Sequence, residues 1–199
     1  DILIGTQMIV KGHHFPDVTL VGVVSADGSL SIDDYRASER TFDLLVQVAG
    51  RAGREKLPGN VIIQTYNPDN YSIQYSKKQN YEEFYNVEIK LRKQLRYPPF
   101  CDIIMFGISG EREEIVSKTA NQLYANLHKK IQQEDIAANI LKPLPAPIDK
   151  IKNRYRWRII IKSEVNDKLI EIINECLYDK ELLKNNARVI ADINPTNMM

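Results

Sequence analysis

The sequence predicts an α/β chain of two units: a partial parallel sheet with helices, then an α+β unit on a split β-α-β plan. Three observations lead there. Short apolar runs alternate with helical patterns over residues 1–70, a helical stretch ends at Pro98-Pro99, and two β-α-β stretches follow residue 101.

Asp1-Ile2-Leu3-Ile4 is a short apolar run of the kind a buried parallel strand uses. It breaks at Gly5-Thr6-Gln7, and one or two helical turns from Met8 lead through Lys11-Gly12-His13-His14-Phe15-Pro16 to a second strand, Val18 to Val24. Asp33-Asp34 opens a helix with acids in its first turn, where they complement the helix dipole. Its apolar face runs through Tyr35, Phe42, Leu45, Val46 and Val48 and stops at Gly50–Gly53. Pro58-Gly59 is a turn, and Val61 to Tyr66 a third strand. From Tyr71 to Tyr97 the period is helical until Pro98-Pro99 closes it. Tyr71, Tyr75, Tyr81 and Tyr85 in that stretch suit either base stacking or packing with wet hydroxyls. Beyond it the pattern reads strand 102–109, helix 112–133, strand near 137–143, strand 155–163, helix 166–178 and strand 187–193.

A chain of 199 residues suits one or two domains, and a net charge of +1 argues against a uniformly basic nucleic-acid binder. The distribution is more telling. Residues 1–75 hold six Lys/Arg against nine Asp/Glu, and residues 76–199 hold 21 against 17. No run is long enough to span a bilayer. Cys101 and Cys176 are isolated, with no C-x-x-C spacing, and read as core residues of a reduced, cytosolic protein. His13 and His14 have no third ligand nearby, so no metal site is expected.

The most informative motif is Gln47-Val48-Ala49-Gly50-Arg51-Ala52-Gly53-Arg54. Two arginines three apart share a face at a helix end, and small residues let another backbone or a polyphosphate come close. Guanidinium forks match phosphate oxygens. Upstream, Thr6 and Gln7 follow a strand end, where open α/β sheets place ligands, and a hydroxyl with exposed amides can hold a phosphate. Lys11 could pair with a phosphate or simply be solvated.

In the second unit, Arg154-Tyr155-Arg156-Trp157-Arg158-Ile159-Ile160-Ile161-Lys162 alternates with period two. Tyr155, Trp157, Ile159 and Ile161 share one face, and Arg154, Arg156, Arg158 and Lys162 the other. Lys142, Lys150 and Lys152 extend the charge. Such a ladder suits a phosphate backbone, an acidic protein partner, or an edge strand guarded by its charges.

GTQM-x-x-KGHHFP-x-VTLV followed by QVAGRAGR resembles motifs V and VI of superfamily 2 helicases, and the KGHHFP wording is close to that of primosomal replication-restart DNA helicases. RYPPF at 96–100 and PLPAPIDKIKNRYRWRIIIK at 143–162 resemble segments that family carries after its helicase core. The resemblance implies a partial RecA-like helicase lobe at 1–70 bearing motifs V and VI, a helical linker at 71–100, and a ribosomal-protein-like DNA- or partner-binding domain at 101–199. It gives Arg54 the γ-phosphate contact, with Arg51, Gln47 and Gly50 lining the ATP cleft. Thr6, Gln7 and Lys11 would meet DNA. The implied activity is ATP-dependent 3′→5′ unwinding that restarts replication at stalled forks, with ATP and Mg²⁺ as cofactors. Implied partners are forked or single-stranded DNA, single-stranded-DNA-binding protein and primosome proteins, in the bacterial cytoplasm. No G-x-x-x-x-G-K-[ST] loop, acidic metal motif or cysteine-rich zinc insertion occurs here, so the chain reads as a C-terminal portion without catalysis of its own.

Overall fold

The computed structural model describes residues 2–6, 18–53 and 58–198. The chain divides into two compact units, Asp1–Leu91 and Arg92–Met199.

In the first unit, β1 (Leu20–Val23) and β2 (Asn60–Ile63) pair in parallel, with Leu20 opposite Asn60 and Val23 opposite Ile63. A parallel pair needs a crossover, here α1 (Asp27–Leu30) and α2 (Ala37–Ala49). α1 is short and has no apolar period of its own; its Asp27 carboxylate accepts from Thr65 Oγ1 at 2.9 Å, the Tyr66 amide at 3.0 Å and Asn67 Nδ2 at 3.3 Å. That bond set ties the crossover to the end of β2. The Tyr66 amide, joined by Thr65 and Asn67, holds the carboxyl below its usual range against a smaller opposing effect of burial.

α2 buries Phe42, Leu45 and Val48 along one face. Leu45 packs with Ala26 and Ile73, against Val23, Leu30 and Ile63. Phe42 stacks on Phe84 at 4.2 Å between centroids. Each buried side chain of this size contributes about 1.5–3 kcal/mol, and a stacked pair about 0.5–1.5 kcal/mol more. Asp34, just before α2, has a fully buried carboxylate paired with Arg36 at 3.0 Å and Arg40 at 3.1 Å.

Two expectations fail in this unit. Ile2–Ile4 forms no strand, and Ile2 and Ile4 are 90% and 89% exposed. A strand exists only through hydrogen bonds to a neighbour, and among the described residues the parallel sheet has just β1 and β2. The helical stretch 71–97 is also two helices, α3 (Tyr71–Lys78) and α4 (Tyr81–Leu95). Gln79 adopts the left-handed conformation, the amides of Gln79 and Asn80 return to the Ser76 and Tyr75 carbonyls, and Asn80 Oδ1 accepts from the Glu83 amide. One helix is closed and the next capped within two residues. Of the tyrosines, Tyr71 packs on Phe84 at 5.7 Å and donates to Glu88 Oε2 at 2.5 Å. Burial, then the Glu88 bond, pushes its phenol up to about 12.

The second unit is one antiparallel sheet with helices on one face. Its strands are β3 (Asp102–Gly110), β4 (Asn139–Ile140), β5 (Leu144–Ile151), β6 (Arg154–Ser163) and β7 (Arg188–Ile193). Its helices are α5 (Glu113–Gln133), α6 (Asp167–Leu177) and α7 (Lys180–Leu183). The order is β4-β6-β3-β7, with β5 also on β6, which is the split β-α-β arrangement. Ile104, Phe106 and Ile108 of β3 and Ile159 and Ile161 of β6 meet α5 and α6 through Leu123, Leu127 and Leu169. Asn166 caps α6 by accepting from the Leu169 amide at 2.9 Å. Cys176 lies in this core, where burial pushes its thiol up to about 11, whereas Cys101 is half-buried beside the sheet and donates to the Arg96 carbonyl.

β5 and α7 are additions to the predicted pattern. β5 carries Pro145 and Pro147, which remove amide donors and are tolerated on an edge. It turns into β6 through Lys152-Asn153, both with positive φ (48° and 60°), as a two-residue hairpin turn requires.

Candidate nucleic-acid and nucleotide interfaces

In the first unit, α2 ends at Gly50, whose amide returns to Val46 and Val48, and Arg51 and Ala52 continue as a tight turn. The Gly53 amide donates to the Val18 carbonyl at 3.0 Å, and the Asn60 amide to Thr19 at 2.8 Å. The glycine-rich loop therefore lies at the N-terminal ends of β1 and β2. Gly59 abuts it so closely that a Cβ there would lie 2.2 Å from the Gly53 nitrogen. The small residues of the motif thus admit another backbone, as their size suggests. Gly50 and Arg51 are half-buried, and Gln47 and Thr6 are exposed. Arg54, Gln7, Lys11, His13 and His14 lie outside the described residues.

In the second unit, alternation along β6 places Tyr155, Trp157, Ile159 and Ile161 toward the helices. Register puts Arg156 opposite Ser109, Arg158 opposite Gly107, and Lys162 opposite Ile103 on the other face. Arg188 of β7 also stands opposite Ser109 and so joins this face. The aromatic side chains of β3 and β6 belong to the helix side, leaving this face with cations beside small residues. It can grip phosphates but offers no ring for a base to stack on.

The four cations are not equivalent, which corrects the ladder read from periodicity. Lys162 is 7% exposed; its Nζ donates to the Leu95 carbonyl at 2.9 Å and sits 3.4 Å from the Tyr97 ring centroid. Burial lowers its pKa from the ordinary lysine value. It is an internal anchor. Arg158 donates to the Met198 carbonyl at 2.8 Å, and Arg156 to the Ile148 carbonyl at 3.3 Å; both are half-buried. Arg154 is exposed. Met105, Gly107, Ala146, Arg158, Ile190 and Met198 help line a shallow hollow of ≈ 140 Å³ here. Sequence reasoning missed Arg188, whose signal was the same period-two alternation in 188–193. It also missed the seating of Met198, which local pattern does not encode. No group of three or more His, Cys, Asp or Glu side chains suited to a metal ion occurs among the described residues. No helix among them is long and apolar enough to cross a membrane.

A split β-α-β sheet with a cationic open face, preceded by a parallel α/β segment ending in an arginine-bearing glycine loop, has counterparts among known proteins. Residues 93–196 match the family described as the Primosomal protein N C-terminal domain. Three relatives carry the name Replication restart protein PriA. That of Bacillus subtilis is 43% identical over 100% of this chain and 25% of its own length, and that of Synechocystis 39% over 100% and 23%. That of Chlamydia muridarum is 40% identical over 98% of this chain and 25% of its own. The chain belongs to the PriA family of replication restart proteins, and spans about a quarter of the length of these relatives.

Proposed function

We propose that this chain serves a superfamily 2 DNA helicase of replication restart, its first unit as the distal part of a RecA-like second lobe and its second unit as a DNA-binding domain. The observation that carries the reading is the row Arg154, Arg156 and Arg158 on the open face of the sheet in a chain of the PriA family. Cations on alternate residues of one strand follow a phosphate backbone without reading sequence.

The first unit fits the outer side of a nucleotide site. It supplies a half-buried Arg51 on a glycine loop but, in sequence, no phosphate-cradling lysine loop. ATP with Mg²⁺, held chiefly by another lobe, would supply the phosphates. Arg51 and Arg54 would neutralise charge there, an effect worth about 10³–10⁵ in rate for arginine fingers. Gln47 and Gly50 would complete that wall, while Thr6, Gln7 and Lys11 would hold the DNA backbone. By the family resemblance, partners would include single-stranded-DNA-binding protein and primosome proteins, a zinc site would lie outside this sequence, and the setting would be the bacterial cytoplasm.

Binding of the chain to labelled forked DNA across a salt series, beside the variant with Arg154, Arg156 and Arg158 all changed to alanine, tests this reading. The expected result is salt-sensitive binding by wild type and loss of both affinity and salt slope in the variant. Absence of binding by wild type would overturn the DNA-binding assignment. ATP turnover by the purified chain would overturn the view that its nucleotide site is partial.

A further inference from the structure

The outer end of the cationic face differs from the rest of it. Moving inward along β6, Lys162 is consumed by the Leu95 carbonyl and the Tyr97 ring, Arg158 holds the Met198 carbonyl and Arg156 holds the Ile148 carbonyl. A phosphate approaching these groups must share or displace a backbone oxygen that already occupies the donor. The β5–β6 turn carries Lys150, Lys152 and Arg154, all exposed. Lys150 lies over the Tyr155 ring at 4.5 Å from its centroid, with Nζ 3.3 Å from the phenol oxygen. That contact orients the ammonium and leaves its charge uncancelled.

We propose that this hairpin tip is the principal phosphate-gripping element of the domain, a site for a continuous DNA backbone; this deepens, and rests on, the DNA-binding reading above. The last cross-strand pairs are Lys150 with Tyr155 and Ile151 with Arg154. Residues of adjacent pairs point to opposite faces, so Lys150 and Arg154 flank the tip on its two sides and Lys152 stands at the apex. Lys150, Lys152, Asn153, Arg154 and Tyr155 enclose a hollow of ≈ 490 Å³ together with Glu111, the one acid in its lining. Three cations spread over two faces and an apex suit a polyanion passing across the turn. A compact carboxylate cluster would need donors that converge on one point. Ile151, 41% exposed beside Arg154, adds an apolar surface against which a sugar can rest.

The test compares two charge-removing variants of the full chain by fluorescence anisotropy on labelled forked DNA, from low to moderate salt. The tip variant is K150Q/K152N/R154Q, in which asparagine keeps the left-handed turn; the face variant is R156Q/R158Q. The tip variant is expected to lose about ten-fold or more in affinity at low salt. Its log–log salt slope should become shallower by about two to three, near 0.7–0.9 per phosphate released. The face variant should stay within about two-fold of wild type, and the charge-keeping variant K150R/K152R/R154K should bind like wild type. Equal losses in both variants, a larger loss in the face variant, or failure of the charge-keeping variant to bind would overturn the tip assignment while leaving DNA binding intact. A tip variant that loses a labelled Glu/Asp-rich peptide and keeps DNA would overturn it in favour of an acidic partner. If wild type binds no DNA, the broader reading fails and the tip with it.

Discussion

Gly59 and Gly53 form the tightest backbone approach at the glycine-rich loop: a Cβ on Gly59 would lie 2.2 Å from the Gly53 nitrogen and 2.5 Å from the Ala52 carbonyl carbon. Both obstacles are main chain, so no side chain can swing away. Gly59→Ala is expected to destabilise the first unit by about 1–3 kcal/mol, the usual cost of overpacking. Urea unfolding followed by tyrosine fluorescence would report it; an unchanged midpoint would mean that the loop is not held against the start of β2.

Lys162 separates anchoring from DNA contact. Lys162→Ala removes the donor to the Leu95 carbonyl and a packed aliphatic stem, at an expected cost of about 1–3 kcal/mol. Affinity for forked DNA should stay within about two-fold. Because burial lowers the folded-state pKa of this ammonium, the unfolded chain binds its proton more tightly. Its contribution to stability therefore rises with pH between the folded value and the ordinary lysine value. A strong loss of DNA affinity without a shift in unfolding midpoint would return Lys162 to the exposed ladder.

Asp34 gives the first unit an acid-sensitive joint. Burial alone would raise its pKa, but hydrogen bonds from the Arg36 side chain and backbone, with the charges of Arg36 and Arg40, outweigh this and hold it low. A lowered carboxyl contributes stability that is fully present above its unfolded value of 3.8 and is lost as pH falls through the folded value. Asp34→Asn should lower stability by about 1–3 kcal/mol at neutral pH and flatten the decline below pH about 4. Equilibrium unfolding from pH 2 to 7 measures both effects, and a decline as steep as wild type would assign the acid sensitivity elsewhere.

The two cysteines should report different events. Cys176 is 1% exposed with its thiol raised to about 11, whereas Cys101 is half-buried, its thiol raised chiefly by burial. Iodoacetamide at neutral pH should modify Cys101 slowly and Cys176 only with unfolding, as read by mass spectrometry along a urea gradient. Early labelling of Cys176 would show the helix-side core opening locally.

The residues that declared themselves in sequence are those whose neighbours along the chain decide their fate. Alternation in RYRWRIIIK gave β6 and the separation of its two faces, and the 3.6-residue pattern gave α5 and α6. β5 stayed hidden because Pro145 and Pro147 read as loop and its turn, Lys152-Asn153, lacks the usual glycine. Ile2–Ile4 misled because apolarity says nothing about whether a partner strand is offered. The condition of the cationic row was illegible for a related reason. Lys162 meets a carbonyl 67 residues away and Arg158 one 40 residues away, and no local period records either encounter.

Pro145 and Pro147 have a consequence for how copies of this domain behave when crowded. Strand β5 forms one outer rim of the antiparallel sheet and β7 the other. Lacking two amide donors and bordered by like charges, the β5 rim is a poor template for a further strand. The β7 rim has no proline from Arg188 to Ile193 and shows Ile190 and Ile193 at 48% and 44% exposure. Growth of the sheet into a fibril would thus proceed from one side, and a single lysine or proline on the outward edge of β7 should be enough to stop it.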